Sequence, residues 1–482
     1  MDERTIDIRK TGAAANLHPS AVFFHQRINP RPLPDALFEF GTWVADRDLD
    51  AEGPFRAVRC LLLNALPTFV HGTPWTIPDE SPIDRAKRLV VALHDSVLSV
   101  QGPPGSGKTY TAAHMACALI RAGRKVGVTA TSHRVIRNLL DAIQEVAAKE
   151  YLDVQAVHKI GEDQKVVDDG PLRTTKKNSD VLDALQTGAV AVAAGTVWLW
   201  ARPEFQQAVD VLIVDEAGQM ALANVLAAGQ AARSLVLLGD PQQLEQPLQG
   251  SHPIGTDASV LQHVLGASKT LPDDRGLFLA ETWRLAPSVC TFTSELFYEG
   301  RLRPRAGLER RRIDGPGDPR GAGLWFMPVE HVGNQNCSIE EVAVVCDLVQ
   351  RLTGGSYTWT DEGGATHALT LGDVLIVAPY NAQVYAIQER FPSARVGTVD
   401  RFQGQQAPVV VYTMATSSPE DAPRGMEFLY SLNRLNVATS RAQCAVVLVA
   451  SPKLFDPSCR TPREMQLANA CCRYLEMATH LR

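Results

Sequence analysis

The chain has 482 residues, 45% hydrophobic and 21% charged, with a formal net charge of −6. That length is too great for one core and predicts roughly two to four domains of ordinary globular composition. The charge excludes a histone-like binder held by bulk positive charge, although a local cleft can still grip nucleic acid.

No apolar run reaches bilayer length, and the polar start Met1-Asp-Glu-Arg-Thr5 gives no reason to expect a signal peptide. No membrane association is expected. The nine cysteines are scattered and form no C-x-x-C pair, which points to a reducing cytoplasm and to neither a zinc site nor an iron–sulfur cluster.

Residues 1–80 carry breaks at Pro30, Pro32 and Pro34 and aromatic anchors at Phe38, Phe40 and Trp43. Arg56 to Leu66 reads as a helix stopped by Pro67, and the region is expected to be an accessory arm or packing element. A helical pattern from Asp84 to Leu93 then leads into the apolar strand Val97-Leu-Ser-Val100. Gly102, Pro103, Pro104, Gly105, Ser106, Gly107, Lys108 and Thr109 follow, and a helix is predicted to Arg121. G-x-x-x-x-G-K-T between a strand and a helix is the context that a P-loop requires. The glycines let backbone N–H groups curl round a polyphosphate, and the following helix adds its positive end. Lys108 is expected to reach the β- and γ-phosphates, and the Thr109 hydroxyl to ligate Mg²⁺.

Lys125 to Thr131 reads as a second buried strand, emptying into Ser132-His133-Arg134 and a helix through Ala148. Residues 150–180 are polar and poor in pattern, so an insertion is expected over about 150–185. Ala189 to Ala194 is a strand ending at Gly195-Thr196. The apolar run Val211 to Val214 delivers Asp215 and Glu216 to a strand end, where P-loop ATPases need them. Asp215 would hold the Mg²⁺ hydration shell and Glu216 would polarise the attacking water. Leu235-Val-Leu-Leu-Gly-Asp-Pro-Gln-Gln-Leu244 is another strand ending in polar residues. Strands alternating with helices predict an α/β fold with parallel sheets covered on both faces.

Four further stretches follow in order: Ala280-Glu-Thr-Trp-Arg-Leu285, Leu375-Ile-Val-Ala-Pro-Tyr-Asn-Ala-Gln383, Val396-Gly-Thr-Val-Asp-Arg-Phe-Gln-Gly-Gln-Gln406 and Arg434-Leu-Asn-Val-Ala-Thr-Ser-Arg-Ala442. With the three before them, they resemble the ordered motifs of superfamily 1 helicases, over residues 97–450. The details resemble the class B branch, which includes the nonsense-mediated-decay helicase and the Okazaki-fragment nuclease–helicase. The closing stretch, Glu420-Asp-Ala-Pro-Arg-Gly-Met-Glu-Phe428 through Cys459-Arg-Thr-Pro462, looks most like bacterial RecB-like nuclease–helicase fusions.

The resemblance implies two RecA-like P-loop domains in tandem, expected at 81–275 and 276–482, the second closing with a C-terminal helix, with ATP and Mg²⁺ between them. It implies that Gln243 senses the γ-phosphate and that Arg284 and Arg441 act as arginine fingers from the second domain. Trp283 stands where relatives carry a tyrosine that stacks on the base, and Gln406 where they carry a glutamate, a candidate for the ribose. Contacts to single-stranded nucleic acid, DNA favoured over RNA and travelled 5′ to 3′, are implied at Ser132, His133, Thr196, Tyr380, Asn381 and Thr398. Arg301, Arg303, Arg305, Arg310, Arg311 and Arg312 form either a basic surface or a solvated loop.

The nuclease of the bacterial fusions has no visible carboxylate cluster here, and about 80 leading residues are fewer than such a domain needs. Cleavage is therefore expected from a separate nuclease partner. A nucleic-acid-gated clamp that recruits a nuclease without unwinding is the rival reading; a small-molecule kinase would leave the later motifs without a purpose.

Two departures bear on nucleotide choice. Ile83-Asp-Arg-Ala86 fills the region where relatives carry an adenine-reading glutamine, and Gln406 replaces the usual glutamate. GTP and CTP are therefore expected to support hydrolysis within roughly tenfold of ATP, about 1.4 kcal/mol of discrimination. Competition among the four nucleotides measures this, and a strong preference for ATP would contradict it.

Overall fold

The computed structural model describes residues 16, 18, 29–246, 253, 256–402 and 404–481. Pro32–Arg482 forms one compact unit, built on two mostly parallel α/β sheets.

The first sheet has nine strands, in the order Asp168–Asp169, Leu172–Thr175, Ala156–Lys159, Val192–Ala194, Val126–Thr129, Val209–Val214, Ala232–Gly239, Val97–Gln101 and Gly276–Phe278. All neighbours pair in parallel except the edge hairpin of Asp168–Asp169 with Leu172–Thr175. The central strands are near-continuous runs of Val, Leu and Ile because both faces are covered. One face meets the helices Lys108–Arg121 and His133–Lys149, whose Met115, Leu119, Ile136 and Leu140 join Leu98, Val128 and Ile213 in one core. The other face buries Leu212, Val214 and Leu235 against Val225 and Leu261.

Residues 150–180 are not the patternless stretch the sequence suggests. Ala156–Lys159 pairs with Val192–Ala194 inside the sheet, and Leu172–Thr175 extends it. Four residues, two of them His158 and Lys159, are too few for an apolar period to show.

The second sheet has six strands, ordered Arg395–Thr398, Val374–Ala378, Ala407–Thr413, Ala442–Ala450, Gly323–Pro328 and Thr479–His480. The chain leaves the first sheet only after Gly276–Phe278, which pairs with Val97–Gln101. The next helix, Pro287–Phe297, already belongs to the second core, where Val289, Phe292 and Phe297 meet Leu375, Val410 and Val446. The C-terminal helix Pro462–Met477 starts at a capping box between Thr461 and Glu464 and packs Leu467 and Tyr474 into the same core. Behind the sheet, Glu341 accepts from His331 (2.9 Å) and from the Ala415 N–H (2.9 Å), while Ser417 lies 2.7 Å from His331. This buried knot braces the loops after the second-domain strands.

Residues 33–62 are built into the first domain. Leu33, Ala36, Phe40, Val58 and Leu61 share the core of Leu235 and Val225. The helix beginning at Arg56 ends at Leu62, short of the expected Leu66. Asn64 adopts a left-handed backbone (φ 49°), so Asn64 rather than Pro67 terminates it. Its amide then ties the turn to the carbonyls of His263 and Val264 at 3.3 and 3.2 Å.

Arg59 is the buried centre of this region, 1% exposed, with its guanidinium 4.7 Å from the Trp43 ring. It donates to the carbonyls of Leu49 (2.6 Å), Ala51 and Gly53 (3.2 Å), fastening loop 48–53. Arg59→Leu leaves those carbonyls unsatisfied and should destabilise the first domain by about 3 kcal/mol. Urea unfolding measures it; a loss under about 0.5 kcal/mol would show the bonds to be dispensable.

Candidate functional site

The strand Val97–Gln101 hands the chain to Gly102, and the helix Lys108–Arg121 begins six residues later. Glycine is required at two points of this loop. A Cβ on Gly102 would stand 2.0 Å from Lys108 Cγ, so only glycine lets the lysine stem fold back over the loop. Lys108 Nζ then donates to the Gly102 carbonyl at 2.8 Å. Gly105 has φ +72°, and a Cβ there would lie 2.5 Å from Arg284 Cβ and 2.9 Å from Thr282 Oγ1.

The P-loop is therefore in contact with the segment that leads to the second domain. Trp283 N–H donates to the Gly105 carbonyl (2.9 Å) and Thr282 Oγ1 to the Pro104 carbonyl (2.9 Å).

Asp215 and Glu216 follow Val209–Val214 directly. Asp215 is buried, and burial first and the Glu216 charge second push its carboxyl up to about 7. Glu216 sits in the left-handed region (φ 52°), a conformation that costs a non-glycine residue energy and is held here by its surroundings. Its N–H donates to Asp215 Oδ1 at 2.8 Å. The hydroxyls of Ser106, in the P-loop, and of Thr129, whose carbonyl accepts from the Asp215 N–H, are buried without a hydrogen-bond partner. Carboxylates crowded together, an orphaned P-loop hydroxyl and a folded-back lysine fit a polyphosphate with its divalent cation.

The second domain supplies the opposite wall. Arg441 is 2% exposed, and its Nη2 donates to Gln243 Oε1 at 3.2 Å while its Nε has no partner. Arg284 donates through Nε to Gln406 Oε1 (2.8 Å) and through Nη1 to the Ser440 carbonyl (3.2 Å). Neither arginine forms an ion pair among the described residues. Burial first, and for Arg284 the charges of Arg441 and Arg311 next, depress them to about 10 and about 9 respectively. Two guanidinium groups so placed favour an anion between them.

The other nucleotide candidates are at the same seam. Trp283 is 56% exposed, and the Arg305 guanidinium lies 3.4 Å from its ring centroid. Gln406 is exposed and engaged by Arg284. Thr109, half-buried, stands in the first turn of the P-loop helix.

The candidate nucleic-acid contacts sit where strands end, on the C-terminal edges of both sheets. Ser132 follows Val126–Thr129 and caps the next helix, accepting from the Val135 N–H at 3.3 Å. His133 is half-buried and lies 3.2 Å from His158, so its ring is engaged with that neighbour rather than free. Thr196 follows Val192–Ala194, Thr398 ends Arg395–Thr398, and Asn381 is exposed at the start of a helix. Tyr380 differs from the open contact the motif suggests: it is 8% exposed, with its ring against Phe428 (centroids 5.5 Å).

The arginine cluster is largely consumed by structure. Arg301 binds Asp273 (2.6 Å) and the Leu271 carbonyl (2.8 Å), Arg312 binds Asp314 (2.8 Å), and buried Arg311 joins Glu362 (2.7 Å) to the Arg284 carbonyl. Arg310 reaches the Glu362 carbonyl at 3.2 Å.

Several residues at the seam escaped the sequence reading. Asp240, Tyr298, Asn433 and Asn436 join the two domains around Gln243: Asn433 donates to the Pro241 carbonyl at 2.8 Å and Asn436 to that of Gln242 at 2.7 Å. Asp240 and Asn436 stood inside recognised motifs without an assigned role. Tyr298 stood in none, and nothing in its spacing marks it.

Among the described residues, no helix is long and apolar enough to cross a membrane, and no group of three or more His, Cys, Asp or Glu side chains could hold a metal ion.

Two family profiles, both described as AAA domains, match residues 84–253 and 256–453. The DNA replication ATP-dependent helicase/nuclease DNA2 of Bos taurus is 26% identical over 399 residues, 76% of this chain and 36% of its own length. A regulator of nonsense transcripts 1 homolog of Neurospora crassa is 24% identical over 406 residues, covering 74% of this chain and 36% of that protein. This chain thus spans little more than a third of either relative. Among solved structures, a complex of arterivirus nonstructural protein 10 (helicase) with DNA aligns with 73% of this chain and 60% of its own, at 13% identity and a TM-score of 0.40. The two profile matches and these relatives support a superfamily 1 helicase of the Upf1-like kind.

Proposed function

We propose that this chain hydrolyses ATP in the seam between its two domains and uses the cycle to move along single-stranded nucleic acid. The observation that carries the reading is the pair Arg284 and Arg441, without carboxylate partners among the described residues, beside the P-loop and Glu216. Lys108 and the backbone from Gly102 to Gly107 would bind the phosphates, and Glu216 would take up the proton of the attacking water. Thr109 and Asp215 would hold Mg²⁺, which neutralises charge on the phosphate oxygens. Arg441 and Arg284 would meet the transferred phosphoryl group, Gln243 would report its presence to Arg441, and Trp283 and Gln406 would face the base and ribose.

The track would run along the strand ends that carry Ser132, Thr196, Asn381 and Thr398, where hydroxyls, amides and backbone groups grip phosphates without reading sequence. The resemblance to nuclease–helicase fusions favours DNA as the polymer, that of the motifs to class B helicases favours 5′ to 3′ as the direction, and cleavage would come from a separate nuclease partner. ATPase activity titrated with single-stranded DNA and with RNA at fixed salt tests the reading. Saturable stimulation with strand separation on forks is expected, whereas stimulation without separation would favour a clamp.

Two substitutions follow from these roles. Glu216→Gln should keep nucleotide affinity and lose turnover, because water is no longer activated while Lys108 and Asp215 remain; hydrolysis at the wild-type rate would remove Glu216 from the site. Arg441→Ala should bind nucleotide nearly normally and lose on the order of 10³-fold in stimulated hydrolysis, since a group from the far wall acts most on the transition state. Affinity, melting temperature and turnover on one preparation separate this from a structural role, in which stability would fall instead.

A further inference from the structure

We propose that Tyr298 is a positioning residue that locks the two domains in the closed arrangement and, through Asp240, holds Gln243 against Arg441. The inference deepens the ATPase reading above and rests on it.

Tyr298 lies just beyond the helix Pro287–Phe297 and belongs to the second-domain core. It is fully buried, and its hydroxyl donates to Asp240 Oδ2 at 2.6 Å. Asp240 belongs to the first domain, immediately after the strand Ala232–Gly239. The bond therefore crosses the seam.

Asp240 is 2% exposed and surrounded by donors. Besides Tyr298, its carboxylate accepts from Gln243 Nε2 (2.9 Å), Gln242 N–H (3.1 Å) and Gln101 Nε2 (3.4 Å). A carboxylate offers about four acceptor sites, so this one is saturated and acts as a bracket rather than as a base or metal ligand.

The bracket has a direction. With Gln243 Nε2 spent on Asp240, Oε1 faces Arg441 Nη2 at 3.2 Å. Asn436, in the helix Leu432–Thr439 that ends two residues before Arg441, donates to both the Tyr298 hydroxyl (3.0 Å) and the Gln242 carbonyl (2.7 Å). One phenol thus ties the residue that would sense phosphate to the helix that leads into the arginine. Burial first and the Asp240 charge second raise the phenol well above its ordinary value, so it remains a neutral donor.

If Tyr298 served only as packing, phenylalanine would replace it without loss. Tyr298→Phe is therefore the test, on the full chain, with nucleotide affinity, melting temperature and single-strand-stimulated turnover measured together. Affinity should stay within roughly threefold, while stimulated kcat should fall about ten- to a hundredfold, the worth of a buried bond to a charged group. Combined with Gln243→Ala, the losses should be strongly non-additive, because both act on one network. Asn436→Ser, which removes the bond the hydroxyl accepts from Asn436 while leaving the ring in place, should lower kcat in the same direction and serves if Tyr298→Phe melts early. A Tyr298→Phe protein with full stimulated kcat, or additive losses in the double variant, would overturn the assignment. Absence of stimulated hydrolysis in the unaltered chain would instead refute the parent reading, and this one with it.

Discussion

Two guanidinium groups, Arg284 and Arg441, stand in the seam between the sheets without an ion pair among the described residues, and the rest of the site is arranged around them. Burial depresses both below the ordinary arginine value, and for Arg284 the charges of Arg441 and Arg311 add to it. Enclosing such charges without an ion pair costs several kcal/mol unless an anion or a hydrogen-bond network offsets it. The chain supplies part of that network through Gln243, Gln406 and the Ser440 carbonyl. A polyphosphate on the P-loop would supply the rest. The carboxylates and Lys108 are carried by one domain, Arg284 by the segment that enters the other and Arg441 by the turn before its strand Ala442–Ala450.

The contact between Gly105 and Thr282–Arg284 gives this division a mechanical consequence. The bond from Trp283 N–H to the Gly105 carbonyl and that from Thr282 to the Pro104 carbonyl fasten the interdomain segment to the phosphate loop itself. The phosphate loop thus bears directly on the point where the chain crosses between domains. On the other side of the seam, Asp240 collects donors from both domains, so closure is specified by directional bonds rather than by apolar contact alone.

The P-loop and the acidic strand end were legible in the sequence because their geometry constrains spacing. The lysine must fold back over Gly102, and Asp215 and Glu216 must emerge where an apolar strand ends, so residue types and intervals are forced. Of the second sheet, the apolar runs Leu375 to Ala378 and Val446 to Val449 were legible as strands, whereas its six-strand order was not. Ala156–Lys159 was not, since a four-residue strand with a polar half has no period to read. Tyr298 was hidden because an aromatic after an apolar helix looks like core; only the fold brings its hydroxyl to Asp240. The arginine run misled in the other direction: a row of like charges reads as a solvated or basic face, yet Arg301 and Arg311 are committed to partners far along the chain. Tyr380 likewise reads as a contact from its motif and is seated against Phe428.

The central claim is that a nucleoside triphosphate is bound by both domains at once. Hydrogen–deuterium exchange with a non-hydrolysable ATP analogue and Mg²⁺ tests it most directly, because it reads each wall of the cleft separately. Protection should rise together in residues 102–109, in 281–284 and in 436–443. Protection confined to residues 102–109, with the second-domain segment unchanged, would contradict the shared cleft.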